Sequence, residues 1–155
     1  MNWITRERPK IDRIACPWLI LRFIDAQAQF QYVPADRVIA IAQETGAIPY
    51  DIPGVELTHV GELCSFDAFL KKYQLEDPAL SQLAVIVRGA DTSRLDLAPQ
   101  SAGLYAISLG LSATIANDHE MLRCGLVMYD ALYAWCKTLQ NEKHAWPPAG
   151  YSLTS

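Results

Sequence analysis

The sequence lacks the short motifs that mark the commonest enzyme classes. Its four cysteines form no C-x-x-C pair, which excludes zinc ribbons and thioredoxin-type redox centres. It has no Walker loop, G-x-G-x-x-G turn or G-x-S-x-G elbow, so nucleotide binding and serine hydrolysis receive no support. Only three histidines are present, and only 19% of the residues are charged. Any chemistry therefore depends on a small set of polar side chains.

Long apolar runs and an excess of positive charge are also missing. Because no window of about 18 residues lacks charged and polar side chains, we expect no membrane span. The first ten residues contain no apolar core of signal-peptide length, which favours a cytoplasmic protein. The net charge of −4 and pI near 5.3 are unlike those of a generic nucleic-acid binder. With 155 residues, 51% of them apolar, the chain is expected to fold as one domain, residues 1–155, around a substantial core.

Apolar periodicity predicts an α+β fold dominated by helices, with five or six helices and three or four short strands. The strands are predicted over residues 2–5, 30–33, 48–52 and 55–59. The helices are predicted over residues 14–25, 36–44, 77–89, 100–113 and 117–139, with another beginning at Ser65. The tail from about residue 141 is predicted to be irregular.

Several local features refine this prediction. Asp12 is a candidate N-cap for the first helix, and Pro17 is expected in its first turn, where a missing N–H is tolerated. Residues 100–113 carry almost no charge, which predicts a central and nearly fully buried helix. Cys124 and Cys136 fall in an apolar stretch and are predicted to be small core residues.

Two histidines stand beside carboxylates at the edges of predicted elements. His59 opens an H-x-x-E-x-C array that contains Glu62 and Cys64, and His119 directly precedes Glu120. We predict that His59 and His119 bind one divalent ion, with Glu62 and Glu120 as better ligand candidates than Cys64. Imidazole ligands favour zinc, iron, nickel or manganese over magnesium. The alternative is that His59 forms a hydrogen bond across a turn while His119 helps to cap a helix.

A second set of residues suggests catalysis. Cys16 precedes Pro17 at a predicted helix start, where the positive end of the helix dipole would lower the pKa of the thiol. The positive charge of Arg13, one turn away, would lower it as well. A buried structural cysteine is the alternative. Asp91 ends a Val-Arg-Gly-Ala-Asp segment, and we predict that it faces the same cavity as His59 and His119; the alternative is a solvated helix end.

The third histidine and a basic run complete the list of candidates. His144 lies in the polar tail and is expected to be a solvated surface residue. The basic cluster, which we define as Arg6, Arg8, Lys10 and Arg13, could hold an oxyanion or a phosphate in an otherwise acidic chain. The alternative for this cluster is a solvated face.

Four segments together resemble one known family. They are RPKIDRIACPWLI at 8–20, YDIPGVELTH at 50–59, GELCSFD at 61–67 and VRGADT at 87–92. They resemble the C-terminal domain of the chromate-resistance protein B (ChrB) family. Asp118, His119 and the YDALYAW segment at 129–135 agree with it, so that the resemblance runs from about Trp3 to Cys136.

The resemblance implies a part in chromate resistance, a stress response that often includes regulators of an efflux transporter. It implies chromate or a similar small oxyanion as ligand, and a sulfurtransferase-like or regulatory protein as partner. In longer relatives another region precedes this domain. DNA recognition is expected to reside there, so direct DNA binding by this chain alone is not expected.

Two functions fit these residues. The first is a metal-dependent redox or oxyanion-processing enzyme, in which Arg13 and Arg88 steer the anion, Cys16 is a reactive thiol and Asp91 belongs to the site. The second is a non-catalytic module that senses chromate or metal and signals to a partner. A metal with an open coordination position would favour the enzyme, and a closed shell of four ligands would favour sensing.

Overall fold

The computed structural model describes residues 1–144, in which helices pack around a small parallel sheet. The strands are β1 Asn2–Arg6, β2 Gln29–Val33 and β3 Ile48–Pro49, in the order β2-β1-β3. The helices are α1 Asp12–Leu19, α2 Val38–Thr45, α3 Ser65–Lys72, α4 Pro78–Asp91, α5 Ser101–Thr114 and α6 Asp118–Ala134. A 3-10 turn covers Ala35–Arg37, and π-helical turns extend α1 over Ile20–Ile24 and α6 over Trp135–Leu139. The predicted α+β class is confirmed.

The central strand β1 separates two apolar clusters. Successive side chains of a strand point to opposite faces, so Trp3 enters the larger cluster with Phe30, its partner in β2. Ile4 enters the smaller cluster, beside Val38 of α2. Both faces of the sheet are therefore covered, as is usual for parallel strands.

Helix α1 occupies the centre of the larger cluster. Seven of its eight residues are buried, and it contacts α3, α4 and α6. Trp18 stacks on Phe66 of α3 and also approaches Tyr129 of α6, both fully buried. The loop that begins α1 is consequently held from several directions at once.

The predicted central position of α5 is wrong. Only Ser101, Leu104 and Ser108 of this helix are buried, whereas Leu109 is 37% and Ile107 55% exposed. The lack of charged residues showed that this helix is apolar, but it did not show whether other parts of the chain pack over it.

Of the other local predictions, some are confirmed and some are wrong. The helix starts predicted at residues 77 and 117 are confirmed, because the side chains of Asp77 and Asn117 cap these helices by accepting from Ala79 N and Glu120 N. Pro17 lies at the sixth position of α1 rather than in its first turn, since the helix already begins at Asp12.

Three further predictions can be compared with the structure. Residues 55–59 form no strand. Cys136 is buried as predicted, but Cys124 is exposed. The predicted irregular tail lies mostly outside residues 1–144. Among the residues that the structure describes, no helix combines the length and apolar character needed to cross a membrane.

Candidate metal and oxyanion site

Three aspartates surround the imidazole of His59. Its Nε2 lies 2.9 Å from Oδ2 of Asp91. Oδ2 of Asp12 and Oδ1 of Asp51 each lie 3.4 Å from the same nitrogen. A protonated Nε2 carries a single hydrogen, which is directed best at the nearest carboxylate, that of Asp91. The carboxylates of Asp12 and Asp51 therefore receive at most a weaker contact from this hydrogen.

Asp12 is held in place by the N-terminus of α3. Its Oδ2 accepts a 2.6 Å hydrogen bond from Ser65 N and its Oδ1 a 3.0 Å hydrogen bond from Phe66 N. The first backbone N–H groups of a helix have no partner within it and favour an anion. The carboxylate is fully buried. Asp12 therefore caps α3, and not its own helix as the sequence suggested.

Asp51 links the site to two arginines. Its Oδ1 accepts 2.7 Å from the Ser65 hydroxyl, while its Oδ2 lies 3.1 Å from Arg6 and 3.4 Å from Arg13. Burial opposes ionisation of Asp51, but hydrogen bonds from His59 and Ser65 and the two guanidinium charges together lower its pKa. Asp51 is therefore an anion whose charge is already balanced by the protein.

The cluster favours an added cation. Hydrogen bonds to Asp12, Asp51 and Asp91 raise the pKa of His59 to about 12. Burial raises the pKa of Asp12 to about 7, although its hydrogen bond to His59 opposes the shift. When no metal ion is bound, a proton held by His59 or Asp12 balances part of the negative charge of the three aspartates.

A cavity of about 340 Å³ opens beside the cluster. Its walls carry residues of both charges, together with polar and aromatic side chains: Arg6, Lys10, Ile11, Arg13, Asp51, His59, Ala90, Asp91, Ser93 and Tyr105. Carboxylates, an imidazole, guanidinium groups and an ammonium group thus line the same space. Such a space suits a cation and an anion bound next to each other.

The donor geometry fits one metal ion. One ligand atom each from Asp12, His59 and Asp91 lies within 4.8 Å of the others. Ligands about 2.1 Å from an ion stand roughly 3.0 Å apart at octahedral angles and about 3.4 Å apart at tetrahedral angles. The distances from His59 Nε2, 2.9 Å to Asp91 and 3.4 Å to Asp12, are short enough for a shared ion, and they equally suit hydrogen bonding by a protonated His59. One imidazole and two carboxylates suit zinc, iron or manganese and leave coordination positions open.

The residues of this site lie within a stretch that matches a family model. The model is described as ChrB, C-terminal domain, and it matches residues 3–136. The chain belongs to this family. It is also 33% identical over 134 residues to Protein ChrB of Cupriavidus metallidurans (strain CH34), covering 85% of this chain but 40% of that protein. The chain thus spans less than half the length of this ChrB relative, and no solved structure matches it.

In this ChrB-family chain, the structure brings together some of the residues predicted from sequence. His59, Asp91 and Arg13, which were all assigned to the predicted site, line the same cavity, whereas His119 does not line it. Glu62, His119 and Glu120 join no group of three potential metal ligands among residues 1–144. Instead, His119 packs edge-on against Tyr32, with ring centroids 5.3 Å apart.

The thiols near the site have the opposite character to the one predicted. Burial and the negative charge of Asp12 raise the pKa of Cys16, which lies inside α1 and not ahead of it. Burial and the charges of Asp12 and Asp67 also raise the pKa of Cys64. The pKa of Cys16 is therefore raised by burial where a lowered pKa was expected.

Arg88 does not reach the cavity as a free cation. Its Nε and Nη2 donate to the two carboxylate oxygens of Asp67, at 3.0 and 2.7 Å. Asp67 in turn accepts from Cys64 N at 3.0 Å and so caps α3. Arg88 therefore stabilises the N-terminus of α3, the same helix end that holds Asp12.

Proposed function

We propose that this chain binds one divalent transition-metal ion through Asp12, His59 and Asp91. The observation that carries the proposal is the convergence of three different ligand side chains, within 4.8 Å, beside a cavity that has open volume. Zinc, iron, manganese and nickel all accept such a donor set. A bound ion would contribute a localised positive charge to which an anion can coordinate.

The side chains that line the neighbouring cavity are suited to bind a small oxyanion. Membership of the ChrB family suggests that this oxyanion is chromate. Arg6 and Arg13 are partly neutralised by Asp51. Lys10 lines the cavity and makes no ion pair within residues 1–144. The ammonium group of Lys10 is thus the cation best placed to pair with a tetrahedral dianion. In this proposal the chain is a metal-dependent chromate-binding module in chromate resistance.

One observation favours sensing over redox catalysis. A thiol donates electrons or attacks as its thiolate, yet the side chains of Cys16 and Cys64 are both fully buried, and burial raises the pKa of each thiol. We therefore prefer a module that binds the oxyanion and signals to a regulatory or sulfurtransferase-like partner. The alternative, an enzyme that processes the oxyanion, uses the same cavity.

The metal proposal is tested by replacing each histidine separately. The purified chain is loaded with Zn²⁺, Mn²⁺, Ni²⁺ or anaerobic Fe²⁺, desalted and analysed for metal per folded protein. We expect close to one equivalent in the parent and in His119→Ala, and loss in His59→Ala and Asp91→Asn. Full metal content in His59→Ala, or equal loss in His119→Ala, would contradict the assignment.

The oxyanion proposal is tested with the metal-loaded protein. Calorimetric titration with chromate should show binding that weakens roughly tenfold in Lys10→Gln, because one charge-assisted contact is lost. Lys71→Gln, which removes a lysine from outside this cavity, should leave the affinity unchanged. Loss of chromate absorbance over many turnovers, faster than in a protein-free control that contains the same thiol reductant, would instead favour the enzyme.

A further inference from the structure

A second cavity, which we call the α3 pocket, lies between helix α3 and the loop over residues 56–63. Its volume is about 480 Å³. Thr58 and Val60 line this pocket, whereas His59, between them in the sequence, lines the metal and oxyanion cavity. The two cavities share no lining residue. The α3 pocket is therefore a separate space, which the proposed function does not use.

One wall of the α3 pocket is a tight turn that carries two exposed apolar side chains. Val60 is 65% and Leu63 45% exposed. Val60 N donates to the Leu63 carbonyl at 3.1 Å, and Leu63 N donates to the Val60 carbonyl at 3.0 Å. Gly61 supplies the positive φ, here 60°, that such a two-residue turn requires. Residues paired in this way direct their side chains to the same side, and both side chains line the pocket.

The charged groups of the α3 pocket leave one cation over. Glu56 is paired with Lys72, and both carboxylate oxygens of Asp67 accept from Arg88. Lys71 is exposed, lines the pocket and makes no ion pair within residues 1–144. An apolar wall beside a single unpaired ammonium group is complementary to a ligand with an apolar body and one negative charge. A polyanion such as a nucleic acid needs several cations instead.

We propose that the α3 pocket binds a small aliphatic carboxylate. Its carboxylate pairs with the ammonium group of Lys71, and its chain packs against Val60 and Leu63. The volume falls within the usual range for small-molecule sites, which are mostly apolar with a few polar groups. Since a water molecule takes up about 30 Å³ of liquid, a ligand of roughly 10–15 non-hydrogen atoms fits. Among the described residues, those that line the pocket include no aromatic ring, which favours an aliphatic chain over a stacked ring.

Calorimetric titration of the chain with decanoate, without added metal, tests the proposal independently of the proposed metal site. Decanoate has about 12 non-hydrogen atoms, and ligands of that size are expected to bind with a dissociation constant of roughly 0.01–1 mM. Decylammonium has a chain of the same length and the opposite charge. It should bind at least about tenfold more weakly, because Lys71 repels it. Acetate, which lacks the apolar body, should show no measurable binding.

Two pairs of variants locate the ligand. Lys71→Gln should weaken decanoate binding about tenfold, because one charge-assisted contact is lost. Lys143→Gln is its control, since Lys143 is exposed and lies outside the α3 pocket. Leu63→Gln should weaken binding roughly threefold to tenfold, because an apolar contact is replaced by a polar amide. Leu95→Gln is its matched control: Leu95 is 42% exposed and does not line the pocket. Both controls should bind decanoate like the parent.

Several outcomes would overturn the proposal. One is the absence of decanoate binding by the folded parent at concentrations up to roughly 5 mM. Another is equal affinity for decanoate and decylammonium, or equal affinity of Leu63→Gln and Leu95→Gln for decanoate. Loss of decanoate binding in Lys10→Gln, with Lys71→Gln unaffected, would place the carboxylate in the metal and oxyanion cavity and would also overturn it. Because Leu63 and Lys71 are exposed, these variants are expected to fold, and circular dichroism checks that they do.

Discussion

At the scale of single residues, Ile11 carries an unusual backbone next to the candidate site. Its φ of 49° is rare for a β-branched residue, for which positive φ costs of order 1–3 kcal/mol. The surrounding structure compensates for that cost. The Tyr129 hydroxyl donates a buried 3.1 Å hydrogen bond to the Ile11 carbonyl, from α6 to the start of α1. This strained residue directly precedes Asp12 and helps to set where its carboxylate lies.

We predict that Tyr129→Phe lowers stability by about 1 kcal/mol and weakens metal binding roughly tenfold, as loss of an outer support often does. The Ile11 carbonyl keeps its bonds from Ile14 N and Ala15 N, so the fold should survive. Urea unfolding gives the first quantity and metal titration the second.

Tyr73→Phe is the control, because the Tyr73 hydroxyl makes no hydrogen bond within residues 1–144 while its ring stacks on Phe69. It should leave both quantities nearly unchanged. If Tyr129→Phe binds metal like the parent, Tyr129 has no positioning role and only supports the fold.

The candidate site was partly predictable at this scale. His59 and Asp91 could be named, because an imidazole or carboxylate at the end of an element is a visible signal. Asp12 was interpreted as a local N-cap, since sequence reasoning cannot see an α3 N-terminus 53 residues away. Asp51 was missed for the same reason, because its partners Arg6, Arg13 and Ser65 are distant in the chain.

At the scale of elements, the contact between α4 and α5 depends on a glycine. A Cβ on Gly89 would lie 2.3 Å from Ser101 Oγ and 2.8 Å from the Arg94 carbonyl oxygen. Ser101 is buried and donates to the Ile86 carbonyl. The side chain therefore cannot move aside without losing a buried hydrogen bond, and the Arg94 contact is with the backbone.

Gly89→Ala should consequently destabilise the protein by about 1–3 kcal/mol, the usual cost of overpacking. Chemical unfolding at low micromolar concentration measures this. Gly110→Ala in the adjacent helix meets no atom and should raise the stability of the monomer by up to about 1 kcal/mol through helix propensity. An equal gain in both variants would show that α4 and α5 do not approach as closely as described.

Elements themselves were more predictable than their environment. Caps such as Asp77, Asn117 and Gly46 depend on local backbone geometry, which the sequence records directly. The burial of an element depends on what packs against it. Hence α5 was predicted to be the central helix, whereas α1 is the helix that is almost fully buried. Cys16 was expected at the start of a helix, but it lies within α1.

At the scale of the whole molecule, three of the four positive charges of the basic cluster are engaged within the protein. Arg8 donates to the carbonyls of Ser112, Ile115 and Ala116 at the C-terminus of α5, and it pairs with Asp118. This arrangement satisfies carbonyls that a helix end leaves free. Together with the pairing of Arg6 and Arg13 to Asp51, it leaves Lys10 as the member of the basic cluster without an ion pair in the described chain.

We therefore predict that this chain alone forms no discrete complex with DNA at physiological salt. Affinity for a duplex falls with salt in proportion to the phosphates neutralised, and useful affinity requires several such contacts. The basic cluster offers only one lysine without an ion pair, and a chain of 13 basic and 17 acidic residues has no excess of positive charge to supply such contacts. A gel-shift titration on the promoter of its own operon, repeated at low salt, is the measurement. Weak smearing at low salt that vanishes at physiological salt agrees with the charge distribution. A discrete band at nanomolar protein would contradict it, and Lys10→Gln would then show whether the band depends on the basic cluster.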